Sequence, residues 1–159
     1  MTDQYLVGSG PINLGAATQL CTLELNSQST RRVQGVNAIR VSFNGVTSTA
    51  VPVNCQIARV SNTPSGTAIP TNYGPNPHDP SAPVSITTAK TASTATPGAW
   101  TTAPTLSSIV WEMEISPTSG YAEWFPLGME IDMAISSWLG VFMNAPAAVV
   151  AYTSLLFTE

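Results

Sequence analysis

The chain has 159 residues, of which 9% are charged and 43% are hydrophobic, and its formal net charge is -4. This length suits one domain that buries a core without needing disulfides or metals. The sparse charge favours a protein that packs against others, because little electrostatic repulsion keeps copies apart. The absence of a basic cluster argues against a nucleic-acid partner, and the absence of a long apolar run argues against a membrane partner. The chain lacks a signal-peptide pattern at its start, so we expect synthesis in a cytoplasm.

The first part of the chain predicts an arm followed by strands. Residues 1–15 are rich in Gly and polar residues and contain Pro11, which predicts an N-terminal arm; residues 16–159 are then expected to form the folded domain. Apolar and polar side chains alternate over three further stretches, which is typical of half-buried strands, namely 17–25, 36–43 and 51–57. Cys21 and Cys55 fall on the inward positions and are interpreted as free thiols.

Residues 61–105 interrupt this pattern with a segment rich in Pro and Thr. A loop of this length in a compact domain is usually either functional or disordered. We interpret it as a projecting loop that contacts a neighbour or a receptor, with one short strand near 84–89. The alternative is a poorly ordered insertion.

The second half alternates most clearly, from Ile109 to Ile115 and from Met129 to Ile135. Three further strands are expected, and no segment has the period of a helix; these strands are 121–125, 138–144 and 147–157. About eight strands joined by polar turns predict an all-β fold, a single-domain antiparallel β-sandwich of the jelly-roll or tumour-necrosis-factor-like kind.

The residues that carry catalysis in other proteins are scarce here. His78 is the single histidine, and it lies between prolines in the long loop, so a catalytic triad has no rigid support. No spacing of Cys and His suits zinc, and no glycine motif suits a phosphate. We therefore expect no enzyme activity, no catalytic or metal-binding residues and no cofactor.

Carboxylates form the one pattern that merits comparison with a functional site. Glu112 and Glu114 point the same way from one predicted strand, and Glu130 and Asp132 from another, so all four are expected on one sheet face. Solvent-facing or interface positions are the favoured interpretation. A cation site and a glycoside hydrolase pair are the alternatives.

Charge is also divided along the chain. The arginines all precede residue 61 and the acids concentrate after residue 105; the arginines are Arg31, Arg32, Arg40 and Arg59. Because opposite surface charges orient assembling partners, we expect these arginines to meet the acids of a neighbouring copy. Trp124 and Trp138 flank predicted turns and are further interface candidates, whereas Trp111 is expected in the core.

The C-terminal third resembles a known group of proteins through three runs. These runs are Tyr121-Ala-Glu-Trp-Phe-Pro-Leu-Gly-Met-Glu-Ile, Trp138-Leu-Gly-Val-Phe-Met-Asn-Ala-Pro-Ala-Ala and Ser154-Leu-Leu-Phe-Thr-Glu159. They resemble the ending of small phage virion proteins of the head decoration, or cement, type. Ser136-Ser137 departs from the Pro-Gly usual before the penultimate strand of that group. The resemblance implies a jelly-roll or tumour-necrosis-factor-like sandwich, association as a homotrimer and a role without a catalytic site.

The expected function is therefore a virion structural protein, a self-associating decoration protein that stabilises the head by binding the major capsid protein. The expected location is the capsid surface, reached after synthesis in the host cytoplasm, and the arm and the long loop are expected to contact neighbours. Three alternatives remain open. They are a receptor- or glycan-binding module of a tail or fibre that uses Trp124, Trp138, Tyr73 and the loop, a small jelly-roll coat protein, and a hydrolase that uses the acids.

Overall fold

The computed structural model describes residues 3–28, 33, 35–44, 51–65, 69, 71–91 and 100–159, with Thr71 described for its backbone alone. This part of the chain contains ten strands and a short 3-10 helix at Thr71–Tyr73. The strands are β1 Gln4–Leu14, β2 Gln19–Asn26, β3 Gly35–Asn44, β4 Val53–Val60, β5 Asn76–Pro77, β6 Thr88–Thr91, β7 Leu106–Ile115, β8 Tyr121–Trp124, β9 Trp138–Asn144 and β10 Val149–Thr158.

The strands form two five-stranded antiparallel sheets. The first has the order β5-β1-β10-β3-β8 and the second the order β6-β2-β9-β4-β7. Inward side chains of both sheets share one core, in which Leu25, Ile39, Ile57, Leu139 and Phe157 are buried. Burying side chains of this size stabilises the fold by roughly 1.5 to 3 kcal/mol each. The predicted all-β, antiparallel sandwich is confirmed.

The longer strands pair as a nested series. β1 pairs with β10, β2 with β9, β3 with β8 and β4 with β7, so the first strand meets the last and each later pair lies inside the one before it. β5 and β6 add short edges beside β1 and β2. This pairing places residues from the two ends of the chain side by side in the middle of the first sheet.

Two bulges turn hydroxyl groups into the interior. Irregularities between Gly8 and Pro11 and between Cys21 and Leu23 lie at the places where Ser9 and Thr22 are buried. The Thr22 and Thr153 hydroxyls lie 3.2 Å apart, and Ser9 Oγ accepts a hydrogen bond from Thr153 N at 3.0 Å. Buried polar groups need such partners, and the contact between Thr22 and Thr153 joins the two sheets.

The predicted N-terminal arm is wrong for residues 4–14, which form β1 between β5 and β10. Tyr5 of this strand is fully buried, stacks on Phe157 with ring centroids 5.6 Å apart and donates a hydrogen bond to Pro83 O at 2.9 Å. Pro11, which lacks the N–H of a regular ladder, is tolerated because it lies at the bulge.

The predicted strand from Met129 to Ile135 is also wrong. Ile131 forms an isolated bridge with Val36, while Met129 and Ile135 are 70% and 56% exposed. Gly128 and Ser136, which flank this segment, have left-handed backbone conformations. Because a β-strand needs extended backbone, regular strand pairing does not continue through either residue.

The described part of the long loop does not project from the sandwich. β5 and β6 pair with sheet edges, Ile69 is buried and Thr87 donates two hydrogen bonds to Glu159 Oε1, each 2.9 Å long. The strand expected near 84–89 is wrong for residues 84–87: β6 begins at Thr88 and ends at Thr91, and Val84 and Ile86 are exposed outside it. Residues 66–68, 70 and 92–99 of this loop lie outside the described residues.

Candidate functional site

The outer face of the first sheet carries two adjoining cavities of about 660 and 270 Å³. Both are lined by Arg40 and Ser154, so they meet at the middle of the sheet. We call the pair of cavities the sheet groove. The larger cavity also includes Ser42, Tyr73, Tyr121 and Tyr152, and the smaller includes Leu6, His78, Trp124 and Leu156.

The strand register explains why a groove forms there. One row across the sheet consists of Gly8, Ser154, Arg40 and Ala122, whose small members leave Arg40 uncrowded. The next row on one side contains Leu6, Leu156, Ala38 and Trp124. On the other side Tyr152 faces Ser42. Side chains at alternate positions share a face. The small residues beside Arg40 therefore leave a trough between the row that contains Trp124 and the row that contains Tyr152.

Tyr73 closes the groove at the β1 end. A Cβ atom placed on Gly8 would lie 3.9 Å from Cδ1 of the Tyr73 ring. The long loop therefore contributes a wall to the groove. Trp124, which is 68% exposed, stands at the β8 end.

Arg40 is the charged centre of this face. Its side chain is exposed, and no hydrogen bond or ion pair joins it to another described residue. No acidic side chain is among the residues that line either cavity. A protein of net charge -4 thus presents, in a recess flanked by aromatic rings, a guanidinium that has no partner among the described residues.

The four predicted acids do not share one sheet face, so that prediction is wrong. Glu112 and Glu114 lie on β7 of the second sheet, whereas Glu130 and Asp132 lie in the β8–β9 connection. Asn54 Nδ2 donates to one oxygen of each β7 acid, at 2.8 Å and 2.9 Å. The bond from Asn54 to Glu112 and one from Gln56 lower the pKa of Glu112. No group of three or more His, Cys, Asp and Glu side chains within the described ranges is placed to hold a metal ion.

The predicted arginine candidates have different environments. Arg59 lies beside Asp132 of its own chain, with Nη2 and Oδ1 3.5 Å apart and both side chains partly exposed. Arg31 and Arg32 lie outside the described residues. Glu130 Oε2 accepts a hydrogen bond from Gly128 N at 2.6 Å. Arg40 is therefore the described arginine that is free to meet a partner.

The two tryptophan candidates lie on different sheets. Trp124 belongs to the first sheet, whereas Trp138 lies on the outer face of the second and packs against a small apolar cluster, which consists of Cys21, Ala58, Val60 and Phe142. Trp111 is partly buried against the main core, and its Nε1 donates to Glu123 Oε2 at 2.9 Å. Only Trp124 of the pair thus reaches the sheet groove.

Glu24 of β2 is a buried carboxyl group. It lies opposite Lys90 and Gly140 on the outer face of the second sheet, beside the small apolar cluster. Its side chain is fully buried, and neither oxygen has a hydrogen-bond partner among the described residues. Burial raises the pKa of Glu24 to about 7, and Lys90 opposes the shift.

Most of the groove was not predicted from the sequence, although one signal was present. The alternation of 147–157 that buries Leu155 and Phe157 places Tyr152 and Ser154 on the opposite face. The alternation does not say which strands lie next to β10. Its neighbours are β1 and β3, whose residues are more than a hundred positions away in the sequence.

Comparison of the chain with protein-family models, with curated proteins and with solved structures finds no match. Within the described residues, no helix is long and apolar enough to cross a membrane.

Proposed function

We propose that the chain is a self-associating structural protein of a virion that decorates and stabilises the capsid. The observation that carries this proposal is the exposure of large apolar side chains in the β8–β9 connection. Leu127 is 97% exposed, Met129 70% and Ile135 56%. Exposed apolar surface of this kind marks sites of protein association. We call these three residues the apolar segment.

The surroundings of the apolar segment support a contact surface. The ion pair between Arg59 and Asp132 joins the β8–β9 connection to β4. Arg59 also lies opposite Ser108 of β7 in the strand register. Ile109 and Val110 of β7 are 45% and 41% exposed. β7 ends its sheet and, in the described chain, pairs with β4 alone. An uncovered edge strand offers free backbone groups to another chain.

The fold and the composition agree with this role. Nested pairing of eight strands in two sheets supports a jelly roll, a fold that viral capsid proteins and lectins both use. Because one fold serves both classes, the fold alone does not select between them. The low proportion of charged residues supports a subunit that packs against other subunits.

A homotrimer bound to the major capsid protein is the assembly we propose. Each subunit then adds modest contacts, and trimeric avidity multiplies their effect without strong individual binding. The protein would be made in the host cytoplasm and would act on the capsid surface without catalysis.

The mass of the purified protein in solution tests self-association. Light scattering should give three chain masses, and the double variant Leu127→Asp with Met129→Asp should give one, because charge in an apolar contact is costly to bury. Val84→Asp is the matched control, since Val84 is 83% exposed but lies outside the apolar segment. It should keep the wild-type mass. A monomeric wild type, or a double variant with unchanged mass, would contradict the proposal.

A further inference from the structure

We propose that the sheet groove is a binding site for an acidic saccharide, that is, a sugar bearing a carboxylate. This site lies on the first sheet and goes beyond the proposed structural role, which depends on the apolar segment. The groove combines a cation that has no partner among the described residues, one exposed and several half-buried aromatic rings, and several hydroxyl groups.

The charge of the groove selects an anion. Arg40 carries a permanent positive charge and five N–H donors in a planar fork that fits a carboxylate with two parallel hydrogen bonds. Ser154 and Ala122 flank it in the register, so a ligand reaches the guanidinium without displacing a large side chain. Because no lining residue is an acid, the guanidinium has no competing partner within the groove.

The walls of the groove suit a sugar. Trp124 and Tyr152 lie in the rows on opposite sides of Arg40, and Tyr73 stands at the end. Aromatic rings offer flat apolar surface to the C–H face of a sugar, while Tyr and Ser hydroxyls donate to and accept from its hydroxyl groups. A mainly apolar recess with a few convergent polar groups is the general form of a small-molecule site, and the larger cavity lies within the usual volume range of ligand pockets.

The same features disfavour nucleic acid. Binding to a phosphate backbone uses several cations in succession, and Arg40 and His78 are the groove's basic side chains. A single carboxylate matches one exposed guanidinium. The open hydroxyl groups and aromatic walls then contact the rest of the ring.

Isothermal titration with 3′-sialyllactose and with trigalacturonate, each compared with neutral lactose, tests the site. The acidic probes should bind and lactose should bind more weakly. Arg40→Gln should weaken binding of the acidic probes by about tenfold to a hundredfold, the value of a hydrogen bond to a charged group. Arg40→Lys should restore part of the loss, because lysine keeps the charge but not the fork.

Two further variants separate the groove from the rest of the surface. Trp124→Ala should weaken acidic and neutral probes alike, because the lost stacking does not depend on charge. Arg59→Gln, which removes an arginine near Asp132 and away from the groove, should bind as the wild type does. Circular dichroism and thermal melting of each variant confirm that it is folded.

Three results would overturn the site: no binding of either acidic probe, equal affinity for lactose, or unchanged affinity in Arg40→Gln. A fall in solution mass on Arg40→Gln would also overturn it, because the groove would then hold a second copy. Repeating the titration with the Leu127→Asp, Met129→Asp protein separates the two proposals. Sugar binding by that protein is expected whether or not the wild type self-associates.

Discussion

The buried carboxyl group of Glu24 makes a quantitative prediction about stability. The variant Glu24→Gln keeps the shape of the side chain and removes its titration. Glu24 has no hydrogen-bond partner in the described chain, and burial raises its pKa from 4.5 to about 7. The folded state therefore holds this proton more tightly than the unfolded state does.

The sign and size of the effect follow from linkage. Between pH 4.5 and pH 7 the folded protein binds more protons at Glu24 than the unfolded chain, so the free energy of unfolding falls as the pH rises. Each pKa unit corresponds to about 1.36 kcal/mol, so the shift of Glu24 amounts to roughly 3 kcal/mol at and above pH 8. Well below pH 4.5 the group is neutral in both states and this contribution vanishes.

Urea denaturation at pH 4, 6 and 8 measures the effect. The difference in unfolding free energy between Glu24→Gln and the wild type should grow by about 3 kcal/mol in favour of the variant from pH 4 to pH 8. Comparing differences cancels any fixed cost of burying the amide. Glu112→Gln is the control: the pKa of Glu112 is lowered, so its charge is the same in both states between pH 6 and pH 8. Parallel pH profiles for wild type and Glu24→Gln would refute the reasoning.

Three further predictions concern the fold. Deleting residues 1–12 should abolish cooperative thermal unfolding, because it removes most of β1 from the middle of a sheet; a stable, cooperative truncated protein would contradict the assignment. Thr153→Val should lower the free energy of unfolding in urea by about 1 to 3 kcal/mol, because the buried Thr22 hydroxyl is left with fewer partners. Adding Thr22→Val to this variant should lower the free energy of unfolding by less than a second loss of that size. Gly120→Ala should lower the melting temperature, because Gly120 has φ +66° and a Cβ there would lie 2.6 Å from Val41 O; an unchanged melting temperature would argue against this backbone.

The sequence predicted the sandwich because its long strands alternate regularly. Cys55 and Ile57, for example, are buried as their period-two pattern indicated. The pattern failed at β1, since Gly8, Gly10 and Pro11 are typical of loops and the bulge that accommodates them depends on pairing with β10. Tertiary pairing with a strand at the other end of the chain overrides this local signal.

Alternation also predicted a strand from Met129 to Ile135, where no partner strand runs along the described chain. Met129 and Ile135 fit the pattern of a strand, yet only Ile131 and Met133 of that set are buried. A periodic pattern reports which side chains are able to share a face and contains no information about a neighbour to pair with. The same limit applies to Glu24, which lies on the outer face of the second sheet but is fully buried there beside the small apolar cluster.

The sheet groove could not be predicted from the sequence because it depends on how the strands pair. Its members come from β1, β3, β8, β10 and the long loop, and only the register brings Arg40 between Ser154 and Ala122. Trp124 and Tyr73 were predicted as ligand-binding candidates together with Trp138, which the fold places on the opposite sheet. Trp124 and Tyr73 reach the same face because the chain crosses between the two sheets.

The copy number of this chain in purified virus particles tests the central proposal most directly. Quantitative mass spectrometry against the major capsid protein should find hundreds of copies per particle, in trimers distributed over the head. A few copies per particle would indicate a tail or fibre component, and absence from the particle would contradict a virion role altogether.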